Sequence, residues 1–194
     1  MNDFLRKYGK DSIKHKIGKL NNPNTTSDYI SKLLDDPKSS DNMNLVAMHH
    51  PNITEEHISK VLDKPDSYKN AKYMAIQHPK VTAEHISKVL DNPRENTLIK
   101  IKAIQHPKVN AEHISKALDD PELKVKRAAI EHPKVNAEHI SKVLDNPDEH
   151  WSVRNVAIQH PNVTAEHISK FLNNPDEDPY VREIAKDVYS KRFK

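Results

Sequence analysis

Thirteen histidines in 194 residues are the groups in this chain best suited to chemistry, and ten of them fall in two columns. His50, His78, His106, His132 and His160 each precede a proline, whereas His57, His85, His113, His139 and His167 each follow a glutamate. Imidazole can hold a metal ion, move a proton or bond backbone groups. A helical zinc pair needs histidines four residues apart and a further ligand. Here the two histidines of each pair are seven apart, with a proline and a turn between them. That spacing does not suit a metal, and no metal or other cofactor is expected. The ordinary role is to satisfy backbone groups at helix ends and between neighbouring copies. Ser31, Ser59, Ser87, Ser115, Ser141 and Ser169 each precede a lysine, but adjacent helical positions do not face each other. No nucleophile–base–orienter set and no phosphate-cradling glycine loop is present, so the chain is not expected to be an enzyme.

These residues recur because the chain repeats. Ala83 to Leu90, Ala-Glu-His-Ile-Ser-Lys-Val-Leu, returns with small changes at Ala111, Ala137 and Ala165, and more loosely at Glu55 and Ser27. The Ile-Ser-Lys triplets start at Ile30, Ile58, Ile86, Ile114, Ile140 and Ile168, in steps of 28, 28, 28, 26 and 28. A fixed period in this range signals units that bury their apolar faces by stacking on one another. The copy from Asn92 to Asp119 shows the design. Asn92-Pro93 reads as a helix start, and that helix should run to about His106, where Pro107 stops it. Asn110 then caps a second helix, Ala111 to about Leu118, with Val109 and Ile114 at the spacing of a hydrophobic staple. Ile53/Ile58, Val81/Ile86, Val135/Ile140 and Val163/Ile168 repeat the staple, and Thr54, Thr82, Asn136 and Thr164 repeat the cap. Glu56/Lys60, Glu84/Lys88, Glu112/Lys116, Glu138/Lys142 and Glu166/Lys170 have the spacing of helical ion pairs.

Composition agrees with a thin helical stack. Hydrophobic residues make up 35% and aromatics 5%, and the only glycines, Gly9 and Gly18, precede the copies. The absence of cysteine removes disulfides and thiolate metal sites, and no apolar run could span a bilayer. Cytoplasmic residence is the default expectation. Three parts are expected: a basic cap or arm over 1–20, a repeat array over 21–178 and a C-terminal capping helix over 179–194. The first part carries +4 of the net +3, leaving the rest of the chain near neutral.

The units resemble the leucine-rich repeat variant family. The resemblance rests on Asp145-Asn146-Pro147-Asp148, Val153-Arg154, Ala157-Ile158, His160-Pro161-Asn162-Val163-Thr164, Ile168 and Leu172, and on the turn Asn22-Pro23-Asn24-Thr25-Thr26. It implies an all-α fold, a right-handed α-solenoid of about six helix-turn-helix repeats of 26–28 residues, akin in style to HEAT and armadillo arrays. The units are longer than the usual variant repeat, their leucine columns hold mostly Ile and Val, and no cysteine cluster is present. The family has no common activity, so the resemblance carries fold and not function.

The expected function is therefore non-catalytic binding of a macromolecule, with protein as the partner. The alternative is nucleic acid, bound by the basic columns and the N-terminal arm. Lys72, Lys100, Lys126, Arg154 and Arg182 align in the first helices, where they would form a charge stripe. Positions that refuse to repeat are the other place to look, since repeated columns mainly serve stacking. Trp151, Tyr73, Arg94 and Arg127 lie in or near those variable segments, and an exposed Trp or Tyr makes a good interface anchor.

Overall fold

The computed structural model describes residues 13–174 and 177–194. Among these residues the chain is helical, with no strand and thirteen α-helices. No described helix is long and apolar enough to cross a membrane. The chain divides into two compact units, 1–85 and 86–194. Residues 1–12 of the basic segment lie outside the described residues.

The first unit holds α1 (Ile13–Leu20), α2 (Ser27–Asp35), α3 (Asp41–Ala47), α4 (Glu55–Leu62), a 3-10 turn (Asp66–Tyr68) and α5 (Lys69–Ala75). It ends inside α6 (Ala83–Asp91). The second unit holds α7 (Thr97–Ile104), α8 (Ala111–Leu118), α9 (Leu123–Ile130), α10 (Ala137–Leu144), α11 (Trp151–Gln159), α12 (Ala165–Leu172) and α13 (Pro179–Arg192).

Two kinds of helix alternate. The second helices, α4, α8, α10 and α12, start where their caps predict: Thr54, Asn110, Asn136 and Thr164 each accept from the backbone N–H three residues on. Their staple residues are buried, Ile53 with Ile58, Val109 with Ile114, Val135 with Ile140 and Val163 with Ile168. The first helices start later than the Asn-Pro signal suggests. In the copy from Asn92, the helix begins at Thr97 and is capped by Asn96, whose Oδ1 accepts from the Leu98 N–H at 2.9 Å. Asn92 instead closes a tight turn, accepting from the Arg94 N–H at 3.0 Å, and Pro93 sits inside that turn. An Asn side chain serves a turn as readily as a helix, so Asn-Pro alone did not locate the helix. Such short helices are marginal alone, and burial of Ile99, Ala103, Ile104, Ile114 and Leu118 against neighbouring helices supplies most of their stability.

Candidate interaction surface

The repeated histidines join one copy to the next. In each second helix the imidazole replaces the Glu or Gln of an ordinary capping box. Thr54 N–H donates to His57 Nδ1 at 3.0 Å, Asn110 to His113 at 3.2 Å, and Asn136 to His139 and Thr164 to His167 at 3.1 Å each. Because Nδ1 accepts, the ring proton is on Nε2, which donates to the preceding copy. His57 Nε2 reaches Ser31 Oγ at 3.0 Å, and His85 Nε2 reaches Ser59 Oγ at 2.7 Å. In the second unit His113 reaches Ser87 and His167 reaches Ser141, both at 3.0 Å. One junction differs. It spans the copy shortened to 26 residues, and there His139 Nε2 donates to the Ala111 carbonyl at 2.9 Å, with no bond to Ser115.

The histidines before proline use Nδ1 in the same way. Nδ1 accepts from the N–H two residues on, in His50, His78, His106, His132 and His160 alike. His50 Nε2 donates to the Asn22 carbonyl of the preceding copy at 3.0 Å. Among the described residues no three His, Asp or Glu side chains converge as metal ligands would.

The lysines are equally engaged. Second-helix lysines reach the acid that ends the preceding copy's second helix: Lys60 to Asp35, Lys116 to Asp91, Lys142 to Asp119 and Lys170 to Asp145, at 2.6 to 2.7 Å. Of the anticipated pairs with the Glu four residues back, Lys60–Glu56 is seen, at 3.6 Å. The helix-ending Asp is closer, and the Glu side chain is left in solvent. After the prolines, Lys134 Nζ bonds the carbonyls of Pro107 and Val109 at 2.9 and 2.6 Å, and Lys80 Nζ that of Ile53 at 2.5 Å.

Three of the five cations expected to form a basic stripe are buried instead. Lys72 and Lys100 are each 2% exposed and Arg154 7%. Lys100 Nζ sits 2.7 Å from Asp120, 20 residues on, and Lys126 Nζ sits 2.7 Å from Glu149, 23 residues on. Arg154 pairs with Glu177 and donates to the Asn146 carbonyl, and Arg182 donates to the Asn174 carbonyl. A buried cation facing a carboxylate cannot meet a phosphate backbone, so Lys100 and Arg154 do not form the surface that their alignment suggests, while Lys126 and Arg182 are half-buried. Aligning cations alone missed the acids. Glu95, Glu149 and Glu177 each stand five residues before the cation of their own copy, and that recurrence was the available signal.

What remains at the surface is not repeated. Trp151 opens α11 and is 49% exposed, and Tyr180, in the first turn of α13, is 62% exposed. Their rings meet edge to face with centroids 6.1 Å apart, and His150 packs on Trp151 at 5.5 Å. Leu98, in the first turn of α7, is also exposed, and Leu123, which opens α9, is half-buried. Arg94 and Arg127 are exposed, the latter beside Glu131 at 3.4 Å, and Tyr73 is half-buried. Tyr180 is an exposed aromatic that the sequence reading overlooked, although it stands 29 residues after Trp151, about one copy on. Compared with protein-family models, curated proteins and solved structures, the chain has no significant match in any of the three.

Proposed function

We propose that this chain is a non-catalytic α-solenoid that binds a protein partner through the exposed aromatic pair Trp151–Tyr180. Within each unit successive copies repeat the same kinds of bond over 23 to 26 residues, the behaviour expected of stacked helix-turn-helix repeats such as the leucine-rich repeat variants. Those bonds occupy the repeated histidines, serines and lysines, so partner recognition falls to residues outside the pattern. The observation that carries the proposal is the exposure of two large aromatic rings in contact with each other. Trp and Tyr are the side chains most enriched among interface hot spots. The nucleic-acid alternative draws less support, because Lys100 and Arg154 of its basic column are buried and paired.

Affinity capture from the native host tests this. The wild-type chain should retain a protein that Trp151→Ala/Tyr180→Ala does not. The double variant should melt almost as the wild type does, since surface substitutions of this kind shift stability by about 0.5 kcal/mol each. Identical capture by both forms, or salt-sensitive binding of DNA or RNA by both, would overturn the assignment.

A further inference from the structure

His50, His57, His85, His113, His139 and His167 have both ring nitrogens in use, one accepting and one donating, and in His78, His132 and His160 Nδ1 accepts a backbone N–H; that arrangement exists only in the neutral ring. A second proton would sit on Nδ1, where the backbone N–H of Thr54, Asn110, Asn136 or Thr164 already donates. In the column before proline it would sit where Lys80, Lys108, Lys134 and Asn162 donate their N–H groups. An imidazolium has two donors and no acceptor, so it must leave the cap or the turn, and its bond to the preceding copy loosens with it.

We propose that the packing of the copies is proton-sensitive, with His57, His78, His132 and His160 acting as a built-in device that loosens their junctions as pH falls below about 6.5. The chain carries the device in repeated form, so a small effect at one junction is multiplied along the stack.

The groups that face the rings sharpen the direction. Burial pushes the imidazoles of His57, His78, His132 and His160 below the ordinary histidine value. The Lys80 ammonium adds to this at His78, Lys134 at His132, and Arg192 at His160. The His132 backbone opposes it at His160. At His57 the Ser27 backbone and the Glu56 and Asp35 carboxylates oppose it, and Lys60 assists it. All four folded values lie below the unfolded one, so the unfolded chain takes up protons first as pH falls. The stabilisation is fully present above about pH 6.5 and is lost as pH drops towards the folded values. The ceiling is about a tenfold rise in the unfolding constant per pH unit for each shielded ring, and solvent at the half-buried His78 and His132 lowers their share.

The chain itself suggests the insensitive replacements. Asn22 occupies the position before proline in the first copy, and its Oδ1 accepts from the Asn24 N–H at 3.0 Å. Gln is the usual partner in a capping box. The test is urea unfolding of the full chain from pH 7.5 to 5.0, comparing wild type with His57→Gln/His78→Asn/His132→Asn/His160→Asn. Wild type should lose stability over this range, and the variant should lose clearly less. Equal slopes overturn the proposal. Because the fourfold variant could unfold outright, proton–nitrogen spectra of the wild-type imidazoles supply a second readout. His57, His78, His132 and His160 should show the proton on Nε2 at neutral pH and titrate below pH 6.5, and titration at or above that value overturns the device.

Discussion

Replacing Asp120 by Asn isolates the charge in the buried pair with Lys100. The two side chains are 2% and 4% exposed and meet at 2.7 Å, so the substitution strands an ammonium group in the interior. Asn keeps the side-chain oxygen that accepts from the Glu122 N–H at 2.8 Å, so the local turn survives. Removing one partner of a buried pair costs about 3–5 kcal/mol. For a chain of this size each kcal/mol lowers the melting temperature by about 2–4 °C, giving a fall of roughly 6–20 °C. The neighbouring residue supplies the control. Asp119 pairs with Lys142 at 2.6 Å, but its side chain is 67% exposed. Asp119→Asn should therefore cost at most about 1 kcal/mol. Combining Asp120→Asn with Lys100→Met removes the stranded charge and should recover most of the loss, since apolar replacements of buried pairs are often neutral. Thermal and urea unfolding followed by circular dichroism at 222 nm would read all four proteins. If Asp120→Asn costs no more than Asp119→Asn, or if the double variant is no better than the single one, the interior pairing is refuted.

Two further contrasts test the junctions. Ser87→Ala removes one bond of His113 and should cost about 0.5–1.5 kcal/mol, whereas Ser115→Ala should cost less than about 0.5 kcal/mol because His139 bonds the Ala111 carbonyl instead. Equal losses by urea unfolding would contradict the altered bonding at the shortened copy. Arg192 donates to the carbonyls of His160 (2.9 Å) and Pro161 (2.5 Å), so Arg192→Ala should cost about 1–3 kcal/mol. Lys191→Ala, which breaks only an exposed pair with Asp187, should be within about 0.5 kcal/mol of wild type.

Much of the architecture was legible because local signals agree. The caps Thr54, Asn110, Asn136 and Thr164, the staples behind them and the stopping prolines together locate every second helix. The role of the histidines was legible too, since a residue seven positions from its fellow across a turn can do little but serve helix ends. The first helices were less so: Asn92 and Asn96 have the same chemistry, and only the course of the backbone decides which of them caps. The lysines were misread for a different reason. Sequence spacing reveals neighbours within a helix, such as Glu112 and Lys116, but the true partner of Lys116 is Asp91, 25 residues away in another copy. The same blindness hid Asp120 and Glu149 from Lys100 and Lys126. Whether Trp151 lies open or covers a junction depends on its neighbour Tyr180, which no spacing rule placed beside it.

Near-identical copies raise a problem of order that a buried pair answers. The Lys–Asp contacts, and the His–Ser contacts at two of three junctions, recur along the second unit, so they would serve equally well if a copy folded against the wrong neighbour and looped out the one between. One interior pair is not interchangeable with the others. Lys100 meets an Asp 20 residues on, whereas Lys126 and Arg154 each meet a Glu 23 residues on. A copy misplaced against Lys100 would bring a carboxylate of the wrong reach, leaving a buried charge without its match. One of the least visible residues in the chain thus acts as a page number, fixing where otherwise look-alike leaves are bound.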